Sequence, residues 1–488
     1  MTALVLLVPA LPLLAALSPL AGADGRVLGG AVAAGGVGAL GCAVGVAVAV
    51  ARHGTYSALS GFVYVDPLST FFLLTVSIVV ALAGVGSIAY LESEQRHHRL
   101  ESLQIRLYVI SFAAFAGLML ASLETGNLGL LWVLIEASTL ASAVLVGLEA
   151  NARALEAAWK YIIISSFGVT MALVATLFLY YAATPLVLSP NQRLTWPALF
   201  GHAHLLQHDS LRLAFLLAVV GYGTKVGLAP MHTWLPDAHS EAPSPASAML
   251  SAALLNTGMY AIIRFQAVAL PELGHYTNHV LLVFGFASIT IGALFMVRRG
   301  NYKRLFAYSS VEHMGIIAVA LGFGGVLGVY GALLHTLNHA IGKCVLFLTS
   351  GELVQRWQTR ESREVHGVLR GVPLIGGVLL LGSLAIVGSP PFGLFLSEFT
   401  IIRAGFHGSS VLAFLLIVLL VVAFIAFVRS TAGMATGEPN SVEGDATARV
   451  SPASAAPLLA GIAALFVLGV WIPGALNELI MHSIGAIR

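Results

Sequence analysis

The sequence predicts an all-α polytopic membrane protein of about fourteen transmembrane helices, and three observations carry that prediction. Hydrophobic residues fill 58% of the 488 positions and charged residues only 9%, against about 25% charged in a soluble domain. Apolar stretches long enough to cross a bilayer, about 20 residues each, recur almost end to end. Two of them are interrupted by prolines, which remove a helical hydrogen bond. Freed backbone at that depth is tolerated only where protein or a wet cavity satisfies it. No stretch has the composition of a soluble domain.

Segment 2–22 opens MTALVLLVPALP without a positive leader, so it is expected to remain as a span rather than be cleaved. Segments 27–51 and 66–90 complete an N-terminal three-helix group, 1–104, with Asp66 in YVDPLSTFF placed to cap the third helix. Segments 105–123, 128–148, 158–182, 210–236 and 245–270 form a first group of five, 105–270. Segments 277–297, 305–323, 325–349, 372–404 and 410–430 form a second, 277–430. Each group has an odd count, so the second enters the membrane inverted, as in transporters built from inverted repeats with broken helices. The breaks correspond: Pro230 and Pro236 in KVGLAPMHTWLPDAH of helix seven, Pro390 and Pro391 in IVGSPPFGLFLSEF of helix twelve. The same repeat sets Lys160 against Lys343 and Glu136 against Glu312. The remainder, 431–488, reads as a flexible inner loop over 434–452 and a last helix over 455–475. The chain stops soon after it, without a long lateral helix.

Basic residues set the orientation. With the N-terminus outside, the inner loops collect Arg26, Arg96, Arg99, Arg106, Arg153, Lys160, Arg298, Arg299, Lys303, Arg304, Arg356, Arg360, Arg363, Arg370, Arg429 and Arg449. The outer side receives only Arg52, Arg193, Arg212, Arg264 and Arg488. This asymmetry places both termini outside a bacterial cytoplasmic membrane crossed many times. A net charge of +2 gives no sign of nucleic acid. Cys42 and Cys344 supply neither a disulfide framework nor an iron–sulfur ligand set.

Only four lysines occur, and two of them, Lys225 and Lys343, lie deep in apolar segments. An ammonium near the bilayer midplane costs roughly 2.5–3.5 kcal/mol on insertion scales, so such a group normally has a partner and a function. Glu136, eight residues into its span, is the natural partner of Lys225, and a buried pair of this kind titrates as a coupled unit. A static structural ion pair is the competing reading. His335, His339 and Lys343 stand at i, i+4 and i+8 on one helix face, a short ladder of groups that both accept and donate protons. An H-x3-H metal site would need further ligands that the spacing does not supply, so no metal is expected. Glu398 follows the second break and precedes Arg403. His232, Asp237, His239 and Glu241 follow the first break and line an inner mouth, although capping explains Asp237 nearly as well. Glu312 and His313 fit a feed to the centre and an interfacial position equally. Lys160 and Lys303, near inner span ends, fit ordinary snorkelling. His202, His204 and His208 read as solvated surface.

The runs GYGTKVGLAPMHTWLPDAHSEAPSPASAML, WVLIEASTL, LEAAWKYIIISSFG, LFAYSSVEHMGIIA and LLHTLNHAIGK resemble the antiporter-like membrane subunits of the respiratory complex I superfamily, over roughly 60–430. APSPASAML and YSSVEHMG resemble most the F-type membrane subunit of hydrogenase-4, within nickel–iron hydrogenase complexes. The resemblance implies a fourteen-helix fold with two inverted five-helix bundles, broken at helices seven and twelve. It also implies proton movement through this subunit, driven by redox chemistry elsewhere. Glu136 takes the helix-five carboxylate position, Lys225 the helix-seven lysine, His335, His339 and Lys343 the helix-eleven positions, and Glu398 the charged position of helix twelve. Ser251 stands where many relatives carry a His or Lys in helix eight, so the central path needs water there or other groups between Lys225 and Lys343. The implied partners are other membrane subunits, a peripheral hydrogenase-like redox arm, lipid, protons and internal water. No cofactor-binding pattern for nickel, iron–sulfur, flavin or quinone is recognisable, which leaves redox catalysis to the partners. The alternatives are a subunit of a multisubunit sodium/proton antiporter, and an inert membrane anchor. An anchor has no need of five ionisable residues at depth.

Overall fold

The computed structural model describes residues 1–22, 24–298, 300–438 and 449–487. Arg299, Arg488 and positions 439–448 of the expected inner loop lie outside the described residues. The described chain is helical almost throughout. Among the described residues, twelve helical segments are long and apolar enough to cross a membrane.

Helix α1 (Thr2–Ala15) is shorter than its apolar segment and hands over to a 3-10 turn at Ser18–Leu20. It packs with α2 (Gly25–His53), which in turn lies along α3 (Pro67–Arg96). Between α2 and α3 the chain makes a small hairpin, β1 (Tyr56–Ala58) antiparallel to β2 (Val63–Val65), with Tyr56 opposite Val65. Three-residue strands carry too little alternation to be read from sequence. Then come α4 (Ser102–Leu123), α5 (Leu128–Val146), α6 (Ala152–Ala182) and a short helix, α7 (Trp196–Phe200). Polar N-caps start these helices as expected: Asp24, Asp66, Asn127 and Asn151 each accept from a backbone N–H three residues on, and Glu101 with Gln104 forms a capping box.

Both predicted breaks are present. Helix seven divides into α8 (His208–Val226) and α9 (Trp234–Glu241). Gly227 closes α8 in the left-handed region, φ 77°, where a side chain would be strained. The backbone groups released at the break find side-chain partners. Trp234 Nε1 donates to the Thr224 carbonyl at 2.8 Å, and the Ala229 N–H donates to Ser288 Oγ at 2.9 Å. Helix eight is α10 (Ser244–Met249), a π-helical turn over Leu250–Leu254, and α11 (Leu255–Leu273). The chain continues through α12 (His275–Met296), α13 (Tyr302–Phe323) and the 33-residue α14 (Gly325–Trp357). After the short α15 (Val368–Gly371), helix twelve divides into α16 (Pro373–Ile386) and α17 (Gly393–Gly408) around the two prolines. Helices α18 (Ser410–Ala435), α19 (Pro452–Val470) and α20 (Gly474–Gly485) complete the chain.

Burial separates the helices by role. The spanning window of α10–α11 is buried throughout and that of α13 almost so, whereas α18 has a mean hydropathy of 3.5 and buries only 22% of its window. The first two therefore form the interior, and α18 faces lipid or a neighbouring chain. Helix α8 is clasped to α6 at Gly221, where a Cβ would meet the Ala172 backbone nitrogen at 2.4 Å. That close approach holds Lys225 against the side chains of α6.

Candidate functional site

Lys225, fully buried in the last turn of α8, is the first element of the site. The direct Glu136–Lys225 ion pair expected from sequence is not formed. Lys225 Nζ donates instead to the Tyr161 hydroxyl at 3.4 Å and lies 4.9 Å from the centre of that ring. Tyr161 is hydrogen-bonded to Ser142 at 2.7 Å. Glu136, half-buried on α5, accepts from Ser166 Oγ at 2.9 Å and Thr139 Oγ1 at 3.4 Å. Its charge acts on both Lys225 and Tyr161. The acid and the amine thus face each other across a phenol, with hydroxyls on both sides. Side chains at i and i+4 on a span are visible in sequence, but a tyrosine arriving from another helix is not.

A second cluster surrounds α14. Lys343 Nζ donates to the Phe306 carbonyl at 3.0 Å, and Ser310 Oγ donates to the same carbonyl at 3.0 Å. Ser310 also shares a 2.7 Å hydrogen bond with Ser251 in the π-helical turn. Ser251, read as the departure of helix eight, therefore joins helix eight to the Lys343 site through Ser310. The expected ladder His335–His339–Lys343 is interleaved by His313 from α13. His313 Nδ1 lies 2.9 Å from His335 Nε2, and its ring centre is 5.1 Å from those of both His335 and His339. His335 Nδ1 is 2.9 Å from Ser397 Oγ on α17, next to Glu398. Both ring nitrogens of the fully buried His339 lack a protein partner. Glu312, buried on α13, sits 4.0 Å from His313 Nε2 and acts electrostatically on Lys343. Glu312 and His313 accordingly belong to the centre, the reading left open by the sequence.

On the side where the inner loops were predicted, α9 carries three groups with different surroundings. Asp237 joins Lys160 at 3.3 Å and Arg304 at 2.9 Å. Glu241 joins Arg360 at 2.6 Å, and Arg360 reaches Glu149 at 3.2 Å. His239, between them in sequence, is fully buried, stacks on Phe347 at 4.8 Å, and has no partner on either nitrogen. The charges that act on it are those of Lys303 and Lys343. Lys160 remains exposed, as snorkelling predicts, and also pairs with Glu156 at 2.6 Å. Lys303 does not snorkel: it is 2% exposed, and its Nζ donates to the Ala242 carbonyl at 2.6 Å, at the end of α9. The helix end supplies a carbonyl without a helical partner, which Ser247 Oγ also reaches at 3.2 Å, and the negative end of the helix draws the ammonium inward. His232 is buried against Tyr308, ring centres 6.4 Å apart, away from the histidine cluster. His202, His204 and His208 are exposed, as expected.

Arg264 was counted as an outer-loop charge; it is fully buried within α11. Its guanidinium meets Asp66 in a bidentate pair at 2.9 and 2.5 Å, donates to Ser69 at 2.8 Å, and lies over Trp196 at 3.9 Å. Asp66 keeps its predicted capping role as well. Burial opposes ionisation of Asp66, but the Arg264 charge and hydrogen bonds override it and hold the carboxyl below its ordinary value. Glu124, at the end of α4, is buried without a partner on Oε1, and burial pushes its carboxyl well above its ordinary value. No sequence signal separated Arg264 or Glu124 from loop charges.

Residues 125–425 match the family model described as NADH:quinone oxidoreductase/Mrp antiporter, transmembrane. The chain belongs to that family. Among curated relatives, a hydrogenase-4 component F homolog of Methylacidiphilum infernorum is 36% identical over 86% of this chain and 88% of its own length. The fold is shared with a chain of the archaeal membrane-bound sulfane sulfur reductase complex, at a TM-score of 0.86 and 24% identity, covering 99% of this chain and 97% of that one. It is shared too with a chain of the Mrp complex from a Dietzia species, at 0.82 and 21%, covering 100% and 97%. In this member of the NADH:quinone oxidoreductase/Mrp antiporter family, Glu136, Lys225, Lys343 and Glu398 all lie within the matched region. Tyr161, Ser166, Ser310 and Ser397 are the groups that join or flank them and that sequence reading did not single out.

Proposed function

We propose that this chain is the proton-translocating membrane subunit of a membrane-bound hydrogenase or complex I-like oxidoreductase. Protons move through the buried Glu/Lys/His series, and redox chemistry in partner subunits drives them. The observation that carries this reading is the succession of buried or half-buried titratable groups across helices five, seven, ten, eleven and twelve, with hydroxyls, including Ser251 of helix eight, and the Tyr161 phenol of helix six in the gaps. Lys225, Tyr161 and Glu136 form one station; Lys343, Ser310, Ser251, His339, His313, His335 and Glu398 form the next. Intramembrane ionisable groups of this density mark ion paths and proton relays. Residues 105–270 and 277–430 are the two halves of the path, related as inverted repeats, with a broken helix in each. Both termini face outward, and the Asp237–Glu241 mouth faces the cytoplasm. The partners are other membrane subunits and a peripheral redox arm.

The test is proton pumping by the complete complex in proteoliposomes. Lys225→Ala or Glu136→Ala is expected to lower pumping roughly a hundredfold, the scale on which a positioned acid–base group acts, while electron transfer and assembly persist. Unchanged proton-to-electron stoichiometry in both variants would sink the relay.

A second reading, a subunit of a multisubunit sodium/proton antiporter, is favoured by the fold shared with the Mrp chain. Its signature is collapse of an imposed pH gradient by added Na⁺ with no electron donor present. Co-purification with hydrogenase-like subunits and indifference to Na⁺ would exclude it.

A further inference from the structure

Sequence spacing set His335 and His339 as an H-x3-H pair within a span, but without further ligands. The fold brings together a different set. His313, His335 and Glu398 come from α13, α14 and α17, and each offers a ligand atom within 4.8 Å of the other two. We propose that these three residues form a binding site for a divalent transition-metal cation of the zinc class, and that the cation blocks the path it occupies. The binding stands on geometry alone; the blocking rests on the proton-path reading above.

The donor set is the first argument. Two imidazoles and one carboxylate are the ligands of three-residue zinc sites that keep a fourth position open, and imidazole favours zinc over the alkali and alkaline-earth ions. The second argument is the direction in which the rings face. His313 Nδ1 and His335 Nε2 point at each other across 2.9 Å. Tetrahedral ligands at about 2.1 Å from zinc stand roughly 3.4 Å apart, so separating the rings by about half an ångström and turning each by roughly 35° toward Glu398 admits the ion. The third argument lies behind the rings. A ligating histidine normally uses its other nitrogen on a carboxylate, carbonyl or similar acceptor, which fixes the tautomer. His335 Nδ1 already lies 2.9 Å from Ser397 Oγ, whose own proton goes to the Leu394 carbonyl at 2.8 Å. This leaves Ser397 Oγ to accept from His335 and frees Nε2 for a metal. On His313, Glu312 stands 4.0 Å from Nε2, the nitrogen not facing His335.

Charge is compatible. Glu312 and Glu398 bring two carboxylates, and Lys343 is the cation that acts on both rings. On binding, the proton between His313 and His335 moves to His313 Nε2, the nitrogen on the Glu312 side, so both imidazoles ligate as neutral rings. The proton of Glu398, wherever that acid is protonated, leaves to water.

The experiment uses the whole complex, stripped with a chelator and titrated with zinc chloride in detergent and in proteoliposomes. Zinc K-edge absorption is expected to give two imidazoles and one or two further oxygen ligands at about 2.0–2.2 Å. Conservative variants His313→Asn, His335→Asn and Glu398→Gln should each weaken zinc binding about tenfold or more, measured against a chelating dye, while His239→Gln should not. Three variants are used because any one of them can fail to assemble. Sulfur ligands, a single imidazole, or undiminished affinity in any assembled member of the three would overturn the site. Zinc bound with the expected signature but without effect on pumping would uphold the site and count against the proton path. Retained pumping with no zinc binding would do the reverse.

Discussion

Two buried cations show how side-chain chemistry decides between holding and moving charge. Arg264 is ion-paired, hydrogen-bonded and covered by Trp196, and a guanidinium stays protonated in any protein environment. Lys225 has only a phenol at 3.4 Å, with its acid one side chain away, and a buried ammonium exchanges its proton readily. The first is a fixture between the N-terminal helices and α11, and the second is the group the proposed relay uses as a switch. Removing one member of a buried pair leaves an uncompensated charge, at about 3–5 kcal/mol. Arg264→Met should therefore lower the thermal stability of the purified complex sharply, and Asp66→Asn combined with it should recover much of the loss. A single variant as stable as the parent would show that the pair is no fixture. Sequence could place Asp66 as a cap because capping is local. It could not place Arg264, because the two partners are 198 residues apart and a loop-end arginine looks the same whether it turns inward or outward.

At the scale of elements, the broken helices were legible because proline acts on its own helix. The location of the freed backbone groups was not, since Trp234 and Ser288 reach them through the fold. The π-helical turn at Leu250–Leu254 and the hairpin at 56–65 leave no periodic signature either. Helix packing yields a sharper test. Gly221→Ala puts a methyl against the Ala172 backbone, where overpacking costs about 1–3 kcal/mol, more than the helix propensity gained. Gly41→Ala, with nothing within 4 Å of the added carbon, should be neutral or slightly stabilising. Equal melting temperatures for the two variants would remove the close α6–α8 approach as the element that seats Lys225.

For the whole molecule, the alternation of spans makes a topological prediction. With Cys42 replaced by serine and Cys344 buried, Ser189→Cys should react with an impermeant maleimide from outside intact spheroplasts, and Arg363→Cys only after lysis. The opposite pattern would invert the orientation that the basic residues set. The class of the molecule and its principal ionisable positions were readable because a bilayer punishes stray charge, so Glu136, Lys225 and Lys343 stand out in the middle of apolar runs, whereas Glu124 and Lys303, near span ends, do not. The links were not readable, because Tyr161, Ser166 and Ser310 are unremarkable in a membrane helix until another helix delivers a partner. One of those links, the 2.7 Å contact of Ser251 with Ser310, joins α10–α11 to α13 and so spans the two predicted halves. A hydroxyl donates and accepts in turn by rotating. Once such a pair has handed a proton across, both O–H bonds point the other way, and the next transfer must wait until they rotate back. On the proposed proton path, the join between the halves would thus work as a turnstile, admitting one charge per reset and closed between strokes.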